Sequence, residues 1–245
     1  MIPSARAVEA EARVDAITQW VARHWLAMVN VAWGALVTLP WLAPVAMRAG
    51  WQRLASGIYF FYSFLCHQYA NRSFFLFGEK VMYSYTELLP YASNVDTWLG
   101  LRAFRGTPEL GYKVAWSDRM VWLYGSIFVA GVVFALLRPR VRPLPVKVFL
   151  FLLVPLALDG GTHVVSDWFG VGQGFRYTNE WLAALTGYAL PAQFYVGNAP
   201  GSFNFLMRFL TGVLSGVAVV WVAYPRVEHA LAWARVPVRS TRSST

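Results

Sequence analysis

Four short groups of polar residues stand within or beside long apolar stretches of this chain. Ionisable side chains in such stretches are costly, so they are candidates for function. Histidine and aspartate can transfer protons, arginine can clamp an anionic group, and histidine or cysteine can bind a metal or haem. The candidate site residues are Cys66, His67, Gln68, Arg72, Asp118, Arg119, Asp159, His163 and Arg208.

The composition indicates which solvent surrounds these groups. Hydrophobic residues make up 57% of the 245 residues, and charged residues make up 13%. A soluble domain is charged at about a quarter of its residues, and a soluble fold with so few charges would expose a large apolar patch. We therefore predict an all-α fold, a polytopic membrane helical bundle whose first partner is the lipid bilayer.

Apolar stretches of about 20 residues can cross a bilayer as helices. We predict about five transmembrane helices, at 25–47, 54–71, 120–137, 148–166 and 205–225. Pro40 and Pro44 are expected to kink or end the first of them. A further uncharged stretch at 181–195 is short for a span, which indicates a re-entrant helix, with a sixth span as the alternative.

The predicted organisation has three parts. Residues 1–24 form an N-terminal amphipathic, interfacial helix, and residues 25–225 form the transmembrane bundle. Within the bundle, the long loops 72–119 and 167–204 face outward. Residues 226–245 form a basic cytoplasmic tail.

The distribution of basic residues orients the bundle. Three segments carry ten basic residues and one acidic residue, so they hold the whole net charge of +9. They are the short loop with Arg48 and Arg53, the loop 138–147, and the segment after residue 225. The positive-inside rule places them in the cytoplasm, which puts the C-terminus inside and the N-terminus outside the cell membrane. Because topology accounts for the basic excess, we predict no nucleic-acid partner.

This orientation gives the four polar groups a similar depth. Asp159 lies about 17 Å along its helix at 1.5 Å per residue, past the midplane, and His163 is one turn further on the same face. Cys66, Asp118 and Arg208 lie near the outer ends of their helices. The sequence therefore predicts one polar cluster in the outer third of the membrane.

Three interpretations of the cluster remain open. It could be a buried network that locks the helices together through pairs such as Asp159 with Arg208 or Arg119. It could be a pocket for an anionic or lipid-linked ligand. In that case Arg72, Arg119 and Arg208 would clamp the anion, and His67 and Asp159 would transfer protons.

The third interpretation is a metal or haem site built on His67 and His163, with Cys66 as a further ligand. Cys66 is the only cysteine, which excludes an internal disulfide and an all-cysteine metal site. No phosphate-binding loop or hydrolase motif occurs, and the sequence specifies no particular cofactor.

The same residues resemble the motifs of a bacterial and archaeal family of predicted membrane proteins, a domain of unknown function. The resemblance covers roughly residues 55–226. The matching blocks are Cys66-His67-Gln68, Arg72-Ser73-Phe74, Arg119, Asp159-Gly160 with Thr162, Arg208 with Leu210-Thr211-Gly212, and Tyr224-Pro225.

The departures from that family bear on function. Where the family pattern has Cys-x-Arg-Cys, this chain has Ser117-Asp118-Arg119-Met120, and where the family has glutamine this chain has His163. A family metal site on those cysteines would be lost or rebuilt. The resemblance thus implies architecture and site positions, and it favours a non-catalytic, accessory subunit of a membrane complex. The alternatives are a membrane enzyme or transporter for a small anionic or lipid-linked ligand, and a haem or metal protein.

Overall fold

The computed structural model describes residues 5–232 and residue 234, without the side chains of residues 5–8, 10, 11 and 139. It is 70% helical. Among the described residues, four helices are long and apolar enough to cross a membrane. They are α1 (Ala5–Arg48), α5 (Asp118–Leu137), α6 (Val146–Asp167) and α10 (Phe203–Ala232). The predicted helical membrane bundle is confirmed at this level.

The remaining elements are short. The helices are α2 (Gln52–Ser63), α3 (Tyr85–Leu88), α4 (Trp98–Ala103), α7 (Phe175–Thr178), α8 (Glu180–Leu185) and α9 (Ala192–Tyr195). Three 3-10 turns cover Ala70–Arg72, Leu89–Tyr91 and Arg138–Arg140. The strands are β1 (Ser73–Leu76), β2 (Gly106–Thr107) and β3 (Gly111–Ser117).

Helix α1 joins the predicted interfacial helix and the predicted first span into one element. It has 44 residues, about 66 Å at 1.5 Å per residue, which exceeds the roughly 30 Å of a hydrocarbon core. It passes through Pro40 and Pro44 to Arg48, so the expectation that these prolines end the helix is wrong. Residues 1–4 of the predicted interfacial helix lie outside the described residues.

The carbonyl groups that proline leaves without a helical partner find other donors. Pro40 has no N–H to donate to the carbonyl of Leu36, and the hydroxyl of Tyr62 donates to that oxygen at 2.7 Å. Pro225 likewise leaves the carbonyl of Trp221 free, and the backbone N–H of Leu144 donates to it at 3.3 Å. Both helices can therefore continue, and α10 reaches Ala232, beyond the predicted start of the tail. Residues 235–245 of that tail lie outside the described residues.

The second predicted span, 54–71, is helical only as far as Ser63. Helix α2 has 12 residues, and the chain leaves it at Phe64 to form a turn. Its buried side chains pack on Ala43 and Ala46 of α1 and on Trp116 of β3. Among the described residues there are thus four candidate spans where the sequence indicated about five.

Contacts between the long helices show which of their ends lie together. The indole of Trp25 in α1 donates to Glu228 of α10 at 3.1 Å, and Arg138 at the end of α5 donates to the same carboxylate at 2.7 Å. The first half of α1 therefore shares an end of the bundle with the last turns of α5 and α10. Arg48 lies at the other end of α1.

This arrangement contradicts two expectations. Arg48 and Arg53 do not share an end of the bundle with loop 138–147, because α1 runs away from that loop. The described parts of α1 and α10 place the first half of α1 and the last turns of α10 at the same end of the bundle, which differs from the predicted placement of the two termini on opposite sides. The side of the membrane that each terminus faces stays a prediction. The prediction placed two membrane crossings between Arg53 and loop 138–147, at 54–71 and at 120–137. In the structure only the second of these segments forms a long helix.

The long loop 72–119 contains an antiparallel sheet, which the all-α prediction did not include. The strand order is β1-β3-β2, with Phe75 opposite Lys113. Its core packs Phe75, Leu88 and Leu101 together. The predicted re-entrant stretch 181–195 forms α8 and α9 with a turn between them, and neither is long enough to span.

A cysteine-labelling experiment tests this topology. Arg53 and Arg140 are exposed and lie at opposite ends of the bundle, so R53C and R140C should react with a membrane-impermeant maleimide from opposite sides of sealed vesicles. The parent chain, whose one cysteine is buried, gives the background. Labelling of both variants from the same side would restore the five-span topology.

Candidate functional site

A cavity of about 440 Å³ lies at the end of the bundle where α5 and α10 begin and α6 ends. Its walls come from the turn after α2, from the start of α5 and from the last turns of α6. Eight of the nine predicted site residues line it: Cys66, His67, Gln68, Arg72, Asp118, Arg119, His163 and Arg208. The ninth, Asp159, contacts Arg119 and His163 of this lining.

Asp118 and Arg208 form a buried ion pair that joins α5 to α10. Arg208 Nε donates to Asp118 Oδ2 at 2.7 Å. Its two other guanidinium nitrogens donate to the side-chain and backbone oxygens of Asn198, at 2.8 and 3.0 Å. Asp118 Oδ1 accepts the backbone N–H of Arg119 at 2.8 Å. Since every guanidinium nitrogen of Arg208 has a protein partner, this arginine stabilises the contact between α5 and α10.

Asp159 on α6 is shared by two arginines from other elements. Arg176 of α7 donates to its Oδ1 at 2.6 Å. Arg119 of α5 places Nη1 2.8 Å from its Oδ2, but the angle does not make a hydrogen bond. Arg119 therefore balances charge with Asp159, its Nη1 has no aligned acceptor, and its Nη2 lies 3.5 Å from His163 Nδ1. The sequence did not single out Arg176, because it lies in a polar loop where an arginine is ordinary.

A second pair closes the side of the cavity. Arg72 donates to both oxygens of Asp167 on α6, at 2.9 and 2.6 Å. Its guanidinium lies 5.8 and 5.6 Å from the ring centroids of Tyr69 and Trp98. The indole of Trp98 donates to the backbone oxygen of Asp167 at 3.2 Å. Asp167 and Trp98 were also missed, since neither lies inside an apolar stretch.

The two histidines of the cavity differ in their surroundings. His67 is exposed at the mouth, with its ring centroid 5.4 Å from that of Tyr69. His163 is buried, and its Nδ1 lies 2.9 Å from the backbone oxygen of Asp159. The same nitrogen lies 3.5 Å from Arg119 Nη2, which only donates, and 3.5 Å from Asp159 Oδ1, which only accepts. The shorter contact, to a carbonyl oxygen that only accepts, favours a neutral ring with its proton on Nδ1. Over the part of the chain that the structure describes, no group of three or more His, Cys, Asp or Glu is arranged to hold a metal ion.

Cys66 and Gln68 shape the turn that carries His67. Cys66 Sγ accepts the backbone N–H groups of Gln68 and Ser117, at 3.3 and 3.4 Å. Gln68 has a positive φ of 57°, and its side-chain amide donates to the backbone oxygen of Tyr59 at 2.9 Å. Both side chains thus hold the cavity wall in place.

Lys113 on β3 is a fully buried cation beneath this wall. Its Nζ donates to the backbone oxygens of Gln68, Arg102 and Leu101, at 2.6, 2.7 and 3.3 Å. Burial lowers the pKa of Lys113 to about 7. The three acceptors come from the turn after α2 and from helix α4 (Trp98–Ala103), so Lys113 ties both to the sheet.

The site carries an excess of positive charge and an apolar rim. The arginines at 72, 119, 176 and 208 exceed the aspartates at 118, 159 and 167 by one charge. Val164 and Trp168 line the cavity and are also exposed, Trp168 at 79%. Phe64, two residues before Cys66, is 74% exposed. The cavity is therefore cationic inside and opens beside exposed apolar side chains.

Comparisons of the chain with protein-family models, with curated proteins and with solved structures found no match. The resemblance to a membrane-protein family stays a prediction, and function has to be argued from the geometry of the cavity.

The first prediction for this site concerns the ion pair between α5 and α10. R208Q would leave the carboxylate of Asp118 buried without its cation, which typically costs about 3–5 kcal/mol. We expect a large loss of thermal stability in detergent. R138Q, which breaks the partly exposed pair with Glu228, is the matched control and should cost less. Equal losses of thermal stability for both variants would contradict the larger stabilisation that we assign to the buried Asp118–Arg208 pair.

The second prediction concerns Lys113. K113M would leave three buried carbonyls without a donor, so it should lower the melting temperature, whereas K80M at an exposed lysine should change it little. The unfolded chain holds the proton of Lys113 up to a pH of about 10.4, and the folded chain releases it near 7. Wild-type stability should therefore rise relative to K113M between pH 7 and 9. A constant difference over that range would contradict the lowered pKa.

Proposed function

We propose that this integral membrane protein binds an amphiphilic ligand, with an anionic headgroup in the cavity and an apolar chain in the bilayer. The proposal rests on Arg119, which lines the cavity. Its Nη1 lies 2.8 Å from Asp159 Oδ2 but forms no aligned hydrogen bond with it. A carboxylate or phosphate in the cavity would give its guanidinium a well-aligned acceptor.

The charge of the cavity supports an anion as the ligand. A buried site with one more arginine than aspartate is electrostatically incomplete, because buried charges are stable only when they are paired. An anion at Arg119 would balance the excess. The position of the cavity at the start of α5 adds the positive end of a 20-residue helix, which also favours an anion.

The apolar rim supports a lipid-linked ligand over a free one. Val164 and Trp168 belong both to the cavity lining and to the exposed apolar surface, so a chain attached to the headgroup can leave the cavity without entering water. A free polar anion would gain nothing from these side chains.

The role of accessory subunit in a membrane complex is the second candidate. Helix α6 buries few of its side chains, and Leu150, Phe151 and Leu158 are exposed. A second membrane protein could pack on this face in place of lipid. Isolation of the chain in a stoichiometric complex that covers α6 would support this role, and the cavity would then belong to the assembly.

A thermal-shift titration tests the ligand proposal. A ligand that binds the folded state raises the melting temperature, so short-chain phosphatidic acid should stabilise the detergent-solubilised protein. Inorganic phosphate should stabilise it less, and phosphatidylcholine of the same chain length should not. Equal shifts with both lipids would refute recognition of the headgroup, and an equal shift with phosphate would make the ligand a free anion.

Matched variants locate the binding. R119Q should weaken the binding of phosphatidic acid by about 10- to 100-fold, the range for one charged hydrogen bond. R53Q removes an exposed arginine at the same end of the bundle and should leave it unchanged. If R53Q weakens binding as much as R119Q does, general surface charge and not the cavity attracts the lipid.

A further inference from the structure

A second, much smaller cavity of about 10 Å³ lies behind His163. It shares Arg72, Trp98, His163 and Asp167 with the large cavity, and its remaining walls come from the loops before and after α7. Its volume is close to that of a single water-sized probe, the lower limit for holding one water molecule.

Four residues of this small cavity each have a buried polar atom without a hydrogen-bond partner. The atoms are Asn71 Oδ1, Arg72 Nε, His163 Nε2 and Arg176 Nε. Asn71, His163 and Arg176 are each more than nine-tenths buried. Buried polar atoms without a protein partner usually bind ordered water, and four of them belong to residues that line this one cavity.

The four atoms divide into two donors and two acceptors. The Nε–H groups of Arg72 and Arg176 can only donate, and Asn71 Oδ1 can only accept. His163 Nε2 accepts as well, because the contact of Nδ1 with the Asp159 carbonyl assigns the ring proton to Nδ1. One water molecule accepts two hydrogen bonds and donates two, which satisfies this set completely.

We propose that the small cavity is a binding site for one ordered water molecule that bridges His163, Asn71 and the two arginines. An anion would satisfy the arginines but face the lone pairs of Asn71 Oδ1 and His163 Nε2. A cation would satisfy those acceptors but face two guanidinium groups. The donor and acceptor pattern therefore selects a neutral molecule of this size.

The water connects the binding cavity to the loops behind it. It holds the ring of His163 in the neutral form with the proton on Nδ1. It also braces Arg72 and Arg176, whose other nitrogens hold Asp167 and Asp159. This site is independent of the proposed ligand, and it exists whether or not a lipid binds.

Nuclear magnetic resonance of the histidine nitrogens tests the proposal. The three other histidines are exposed, so the variant H24Q/H67Q/H229Q leaves His163 as the only histidine and should keep the fold. With ¹⁵N-labelled histidine, we expect a neutral ring with the proton on Nδ1, and a cross-peak from the ring to a water molecule protected from bulk exchange. A protonated Nε2, or a ring without a contact to water, would overturn the proposal.

Two controls separate water from other occupants. Exchange of chloride for bromide in the buffer should leave the His163 signals unchanged, and a change would assign the cavity to an anion. N71L removes one acceptor and should abolish the protected-water cross-peak, whereas N94L at an exposed asparagine should retain it. Retention of the cross-peak in N71L would show that the water does not bind at the four-atom set.

Discussion

Charge buried at one end of the helix bundle is the constraint on which the rest of the structure depends. Asp118 and Arg208 join α5 to α10, Asp159 joins α6 to α5 and α7, and Asp167 joins α6 to the turn that carries Arg72. Each carboxylate pairs with an arginine from a different element, and a buried charge cannot be left without its partner. The loops that close the cavity are therefore fixed by the same contacts that fix the helices.

The same set of charges explains why the cavity suits a ligand. Arg208 donates from all three guanidinium nitrogens to protein acceptors, and Arg72 donates from both terminal nitrogens to Asp167. Arg119 places Nη1 2.8 Å from Asp159 Oδ2 without an aligned hydrogen bond, while Arg176 donates to Oδ1 of the same carboxylate. A network built only for stability would be expected to pair its last cation as well as the others. The incomplete pairing of Arg119 is the feature on which the proposed ligand site rests.

The site residues inside apolar stretches could be predicted from the sequence, because an ionisable group there has no ordinary reason to occur. The residues that pair with them could not. Arg176, Asp167 and Lys113 lie in the segments predicted as long loops, 72–119 and 167–204, where charge is common. Their burial depends on how those segments fold back on the bundle. The shared depth of the cluster was predicted from a topology of about five spans, whereas four of the described helices are candidate spans. Even so, eight of the nine predicted residues line one cavity.

The fold was predicted where hydropathy alone decides it and missed where tertiary contacts decide it. Residues 54–71 are apolar enough to span, but a cavity-lining turn interrupts them after Ser63. Pro40 lacks the N–H that would donate to the carbonyl of Leu36, which often ends a helix. The hydroxyl of Tyr62 from another helix donates to that carbonyl instead. The sheet of β1, β2 and β3 depends on pairing across some forty residues, for which the sequence holds no local signal.

Native mass spectrometry of the protein released directly from its membrane tests the central claim most directly. We expect the wild type to retain an anionic amphiphile in a one-to-one ratio, which phosphatidic acid displaces and phosphatidylcholine does not. The same preparation of R119Q should lack it, with the polypeptide still folded. A wild-type protein that retains neutral lipid alone, or an R119Q variant that keeps the anionic lipid, would contradict the account.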